Sequence, residues 1–167
     1  MKKLLTLVTT LFIVNIAVSL DVNQQAPNFI ATALLPDGSV KVIELKDYLG
    51  QKVVLYFYPM DQSPGCSKKA QVFRDEINNL KKHNIIVIGV SCDSIKSHKN
   101  FQHKYNIPYT LVSDSRLKRS LSKLYGASGF LYSQRKTVLI DERGKIVKIF
   151  TTMKIEEQLK EILNTFK

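Results

Sequence analysis

Two apolar periodicities alternate along the chain. Lys52-Val-Val-Leu-Tyr-Phe57 and Ile85-Ile-Val-Ile-Gly-Val90 are apolar at odd and even positions alike, the pattern of strands buried on both faces in the middle of a sheet. Between them Ala70, Phe73, Ile77 and Leu80 recur at helical spacing. This predicts one amphipathic helix from about Cys66 to Lys82, with Lys68, Lys69, Arg74 and Lys81 on its other face. Asp93 or Ser94 can cap a second helix that runs to about Tyr105, and Tyr109 to Val112 reads as a short third strand. Upstream, Phe29 to Leu34 and Ser39 to Leu45 flank Pro36-Asp37-Gly38 and read as an opening hairpin. Downstream, Thr137 to Asp141 and Ile146 to Phe150 form another hairpin, and Ile155, Leu159, Ile162 and Phe166 mark the inner face of a closing helix. Parallel strands with crossover helices and antiparallel hairpins make an α/β sandwich, a mixed central sheet flanked by helices.

The first stretch follows neither period. Lys2 and Lys3 precede an apolar run from Leu4 to Val18, and Ala17-Val18-Ser19 places small residues at a cut before Leu20. Residues 1–19 therefore read as a secretory signal peptide, and 20–167 as one domain. The expected location is secreted or periplasmic. The other reading is an anchor left uncleaved in the membrane, against which stands the length of the run, shorter than the roughly 20 residues needed to span hydrocarbon.

Composition changes the picture in two places. The chain has 167 residues, 44% of them hydrophobic, which excludes a disordered or fibrous protein. With 25 Lys and Arg against 14 Asp and Glu the formal charge is +11, which suits an anionic partner. Removal of the leader lowers it by two. The remaining excess is spread over Lys68-Lys69, Lys81-Lys82, Lys96 to Lys104 and Arg116 to Lys123 without aromatics arranged for stacking, so nucleic acid is not the expected partner. His83, His98 and His103 lack metal-ligand spacing, and no metal or organic cofactor is expected.

The two cysteines, Cys66 and Cys92, exclude a disulfide scaffold and a four-cysteine zinc site. Cys66 follows Tyr58-Pro59-Met-Asp-Gln-Ser63-Pro64-Gly65 and enters the predicted helix in its first turn. Unpaired N–H groups there favour an anion, and a thiolate is the nucleophilic form of cysteine. The plainer reading of Cys66 is a small buried hydrophobe. The open strand-to-helix turn around it favours the first.

This segment, continuing to Phe73-Arg74-Asp75, resembles the peroxidatic motif Pro-x-x-x-Thr/Ser-x-x-Cys of peroxiredoxins, most of all the bacterioferritin comigratory protein or PrxQ branch. Ala26-Pro27-Asn28-Phe29, Val87 to Ser94, Leu111-Val-Ser-Asp114 and Arg135 to Lys145 are similar to further landmarks of that family. The resemblance implies a thioredoxin-like sandwich and a thiol-specific peroxidase with an antioxidant role. It would reduce hydrogen peroxide and organic hydroperoxides with electrons from thioredoxin or another thiol. It makes Cys66 the peroxidatic nucleophile, Ser63 the hydroxyl that contacts the peroxide oxygens, Pro59 the residue that shields the thiolate, and Arg135 the group that keeps it ionised. Lys136 points the other way on an extended chain.

The chain departs from the family at the resolving cysteine. Gln71 stands five residues after Cys66, where many members have one, and the following helix carries none. Cys92 ends the neighbouring strand, at the sheet edge that also carries Cys66. Two cycles stay open: an intramolecular disulfide resolved by Cys92, which requires Cα atoms within about 7 Å, or reduction of Cys66 by an external thiol. A monomer or weak dimer is expected. The alternative function is a non-catalytic thioredoxin-fold binding protein, or a thiol-disulfide carrier, with a static Cys66–Cys92 link.

Overall fold

The computed structural model describes residues 20–115, 117–151 and 154–166; the leader segment 1–19 lies outside them. Seven strands form one mixed sheet: β1 (Ile30–Leu34), β2 (Val40–Glu44), β3 (Lys52–Phe57), β4 (Ile85–Ser91), β5 (Thr110–Ser113), β6 (Lys136–Ile140) and β7 (Ile146–Phe150). Their order across the sheet is β2-β1-β5-β4-β3-β6-β7. β3, β4 and β5 run parallel in the centre, and the hairpins β1/β2 and β6/β7 complete the two sides antiparallel. The strands that read as apolar on both parities are the central ones, because both of their faces are covered.

The helices are α1 (Pro64–Asp75), α2 (Ile77–Lys82), α3 (Ile95–Tyr105), α4 (Ser120–Leu124) and α5 (Ile155–Thr165). The predicted helix over 66–82 is thus two segments. Glu76 interrupts it at φ −94° and ψ 2°, yet Ile77 and Leu80 stay buried beside Ala70 and Phe73. A 3-10 turn at Leu45–Tyr48 and the five-residue α4 have no counterpart in the sequence pattern. Both are too short to show a period. α4 is held from outside: the Asp114 carboxylate accepts from the backbone N–H groups of Leu121 (3.1 Å) and Ser122 (2.7 Å).

Each face of the sheet has its own core. Val54, Tyr56, Ile85, Val87 and Leu139 pack under Ala70, Phe73, Phe101 and Ile162 on one side. Val53, Leu55, Phe57, Ile88, Val90 and Val138 pack under Leu121 and Tyr125 on the other. Tyr56 lies across Gly89, its register partner on β4; a Cβ on Gly89 would stand 2.8 Å from the Tyr56 hydroxyl. That close approach explains a glycine in the middle of a buried strand.

Candidate active site

The site sits where β3 ends. Tyr58 continues the strand for one residue, its N–H bonded to Val90 O at 3.0 Å, and Pro59 then turns the chain out. Gln62 takes a left-handed φ of 59°, and Ser63 leads into α1 with Pro64 at its first position, where a missing N–H costs nothing. Cys66 is therefore the third residue of the helix, within the first turn whose N–H groups lack helical partners. Pro64 and Gly65 are exposed while Cys66 itself is 2% exposed. The turn is open, as its sequence suggests, and the thiol is its floor.

Ser63 occupies the capping position but does not cap. Its carbonyl accepts from Ser67 N at 2.8 Å, whereas its hydroxyl turns back to donate to Met60 O at 3.3 Å. The hydroxyl is left without a helical duty. Pro59 is half-buried beneath the same loop.

The loop is tied down by residues that sequence reasoning passed over. Asp61, 6% exposed, accepts from Tyr58 Oη (2.8 Å) and Ser97 Oγ (2.7 Å), and its carboxylate lies 3.0 Å from His98 Nδ1. Its own N–H donates to Asp93 Oδ2 at 2.7 Å. His98, read from the sequence only as a rejected metal ligand, is fully buried, with Nε2 3.2 Å from Val112 O. The signal available was the placement of His98 three residues before the core residue Phe101 on α3. Burial, and next the Asp61 charge, push the Tyr58 hydroxyl well above the usual tyrosine range, so it stays a donor to Asp61.

Arg135 arrives from a different element. β6 pairs antiparallel with β3, Phe57 opposite Lys136 and Tyr56 opposite Thr137, so the residue before β6 lies beside the end of β3. Thr137 and Leu139 face the α1 layer, and the period of two puts Arg135 on that face and Lys136 on the other. The Lys136 ammonium indeed reaches Tyr125 O (3.0 Å) in the α4 layer. The Arg135 guanidinium lies against Gly65: a Cβ there would stand 2.9 Å from one of its terminal nitrogens. It thus closes on the residue next to Cys66, at the mouth of a cleft lined by Gly65, Lys69, Arg135, Thr137, Phe150 and Gln158.

Lys69 departs from the sequence expectation. The helical spacing predicts a solvent-facing side chain, but its Nζ turns inward, donating to Thr137 Oγ1 (2.9 Å) and Gln158 Oε1 (2.8 Å). Its position three residues after Cys66 and four before Phe73 was the overlooked signal.

Cys92 also differs. It leaves the same sheet edge as Cys66, two residues past Val90, but it shares the parity of Ile88 and Val90 and so faces the α4 layer. Its Sγ lies 3.4 Å from Ser133 Oγ, which in turn is 2.7 Å from Ser122 Oγ. Both thiols are free and buried, on opposite sides of the sheet. Among the described residues, no group of three His, Cys, Asp or Glu side chains is arranged to hold a metal, and no helix is long and apolar enough to cross a membrane.

Comparison with known proteins agrees with this geometry. The family described as AhpC/TSA matches residues 22–149. Peroxiredoxin Bcp of Bacillus subtilis is 33% identical over 156 residues, 89% of this chain and 96% of that protein. Peroxiredoxin Q of Triticum aestivum chloroplasts is 40% identical over 127 residues, 74% of this chain and 56% of that one. Among solved structures, reduced Plasmodium vivax 2-Cys peroxiredoxin superimposes with a TM-score of 0.79 at 28% identity, covering 86% of this chain and 94% of that one. A cysteine-to-serine variant of Xylella fastidiosa PrxQ gives 0.76 at 29% identity, covering 87% and 94%.

Proposed function

We infer the roles of individual residues from one premise: the chain belongs to the AhpC/TSA family, in the Bcp/peroxiredoxin Q branch of the peroxiredoxins, and is a thiol-dependent peroxidase. Cys66 is the peroxidatic nucleophile. The observation that carries this is its place in the first turn of α1, beneath an exposed loop, with Arg135 closing on Gly65 from the same side of the sheet.

The thiolate attacks the terminal oxygen of a hydroperoxide. An S–O bond forms as the O–O bond breaks, two electrons pass from sulfur to the peroxide, water or an alcohol leaves, and Cys66 becomes a sulfenic acid. Charge moves from sulfur to the departing oxygen, so donors fixed around that path lower the barrier. The Ser63 hydroxyl and the Arg135 fork supply them, and Pro59 keeps water from the sulfur. Because Cys92 faces the other layer, the reductant is an external thiol of the thioredoxin kind or a small thiol, in a one-cysteine cycle. The enzyme works as a monomer or weak dimer. The leader carries it out of the cytoplasm, an assignment that N-terminal sequencing of the exported protein checks.

Stopped-flow measurement of peroxide consumption with dithiothreitol tests the central assignment. Cys66→Ser is expected to abolish turnover while Cys92→Ser sustains it. Retained turnover in Cys66→Ser would overturn the assignment.

A further inference from the structure

Lys69 is a half-buried amine without an acid. Its Nζ stands over the rings of Tyr56 (5.3 Å) and Phe73 (5.8 Å), and both of its hydrogen-bond acceptors, Thr137 and Gln158, are neutral. Among the described residues no carboxylate lies within ion-pair distance of it. On the neighbouring α5, Glu156 pairs with Lys68 at 2.7 Å and Glu161 pairs with Lys148. An ammonium withdrawn from water without compensation is costly. The groups that bear on its charge are Arg135, from the start of β6, and Cys66, one turn back on α1. Tyr56 of β3 offers only its ring face, and the residue facing it from α5 is the neutral Gln158. Burial first, then the Arg135 charge, lower the amine's pKa to about 7, and the Cys66 thiolate acts in the opposite direction. Cys66 precedes Lys69 by three residues on α1, so its thiolate is an anion on the Lys69 side of that helix.

The attraction between thiolate and ammonium lasts only while both charges are present. It changes during the reaction, since the anionic sulfur becomes a neutral sulfenic acid. We propose that Lys69 is a positioning residue of the peroxidase cycle: its ammonium is the counter-charge of the Cys66 thiolate at the cleft wall, and it gives up its proton when oxidation removes that charge. The inference rests on the reading of Cys66 as the nucleophile.

The step balances as follows. The Cys66 thiolate, a hydroperoxide and the Lys69 ammonium yield Cys66 sulfenic acid, an alcohol or water, and neutral Lys69. The S–O bond forms, the O–O bond breaks, and the oxygen that leaves as an anion acquires a proton through the cleft that Lys69 and Arg135 share. Reduction of Cys66 back to the thiolate recharges Lys69. The two donors divide the task by position. Arg135, fixed in charge, lies at the exposed mouth, and Lys69, able to lose its charge at neutral pH, lies at the inner wall.

The experiment is a pH titration of ε-13C-labelled lysine resonances in the full-length protein, with Lys69→Arg used to assign the Lys69 signal. The expected result is a near-neutral Lys69 midpoint in the reduced protein that falls by about one pH unit in Cys66→Ser, and again after one equivalent of hydrogen peroxide. The same midpoint in all three states, with Cys66→Ser inactive, overturns the role of Lys69 and leaves the nucleophile assignment standing. An active Cys66→Ser overturns both. In kinetics, Lys69→Met is expected to lower the second-order constant for peroxide about tenfold at pH 7 and to shift the rate profile to higher pH. A profile for Lys69→Met that coincides with the wild type would also defeat the proposal.

Discussion

Cys66 and Cys92 stand at the ends of neighbouring parallel strands, are equally hidden from solvent, and have different surroundings. Cys66 lies in the first turn of a helix, with Lys69 one turn on and the Arg135 guanidinium against the neighbouring Gly65. Cys92 lies on the opposite face of the sheet against the hydroxyl of Ser133, which in turn meets that of Ser122. Burial therefore does not separate the thiol we propose as the nucleophile from the other one. The sign and arrangement of the nearby charges does, because the reactive species is the anion.

The comparison is sharpest under direct substitution. Cys66→Ser should reduce peroxide turnover roughly a thousandfold or more, measured by coupled consumption with a dithiol. Next comes Arg135→Met, expected to lower the second-order rate with hydrogen peroxide about a hundredfold, as for loss of one preorganised charged donor. Gly65→Ala probes the same contact from the other side. The new Cβ meets only the movable end of the Arg135 side chain, so the melting temperature should stay close to wild type while the rate falls roughly tenfold. A large loss of stability there would show that the contact does not position Arg135.

Lys69→Met separates function from stability. The amine is depressed to about 7 in the folded protein against its ordinary 10.5, so between these values the unfolded chain binds a proton that the folded chain refuses. Stability then rises with pH across that window, and the cost of burying the charge is present in full below pH 7. Lys69→Met should accordingly raise the thermal midpoint at pH 6 by roughly 5 °C, with the gain fading as pH approaches 10. Calorimetry at both pH values checks the sign. The smallest effect belongs to Cys92→Ser, expected to change multiple turnover by less than about twofold, since serine can keep the bond to Ser133. A collapse to a single turnover would restore Cys92 as the resolving thiol and break the contrast between the two cysteines.

Much of the site was legible in the chain. The strand that ends at Phe57, the Pro-Gly turn and the entry of Cys66 into a helix are local features, set by β-branched runs, the fixed φ of Pro64 and helical spacing. Arg135 could be placed by its register before a strand and by its resemblance to a family landmark. Asp61 and His98 were not legible as a pair, because they lie 37 residues apart and meet only when α3 packs beside the loop. Lys69 was misplaced for a related reason. A lysine on a helix ordinarily faces water, and nothing local tells that β6 and α5 will offer it Thr137 and Gln158.

By itself the sequence determined the order of elements, the two-sided burial of the central strands, and the turn that presents a cysteine at a helix start. Each follows from interactions within a few residues. Only the tertiary structure decided which layer each strand position faces. β4 is apolar on both parities, so its sequence could not say that Cys92 would turn away from α1. The chain carries a cation on each parity as it enters β6, and the pairing with β3 sends Arg135 to Gly65 in the α1 layer and Lys136 to the far side. Periodicity tells which residues share a face, and packing alone settles what covers it.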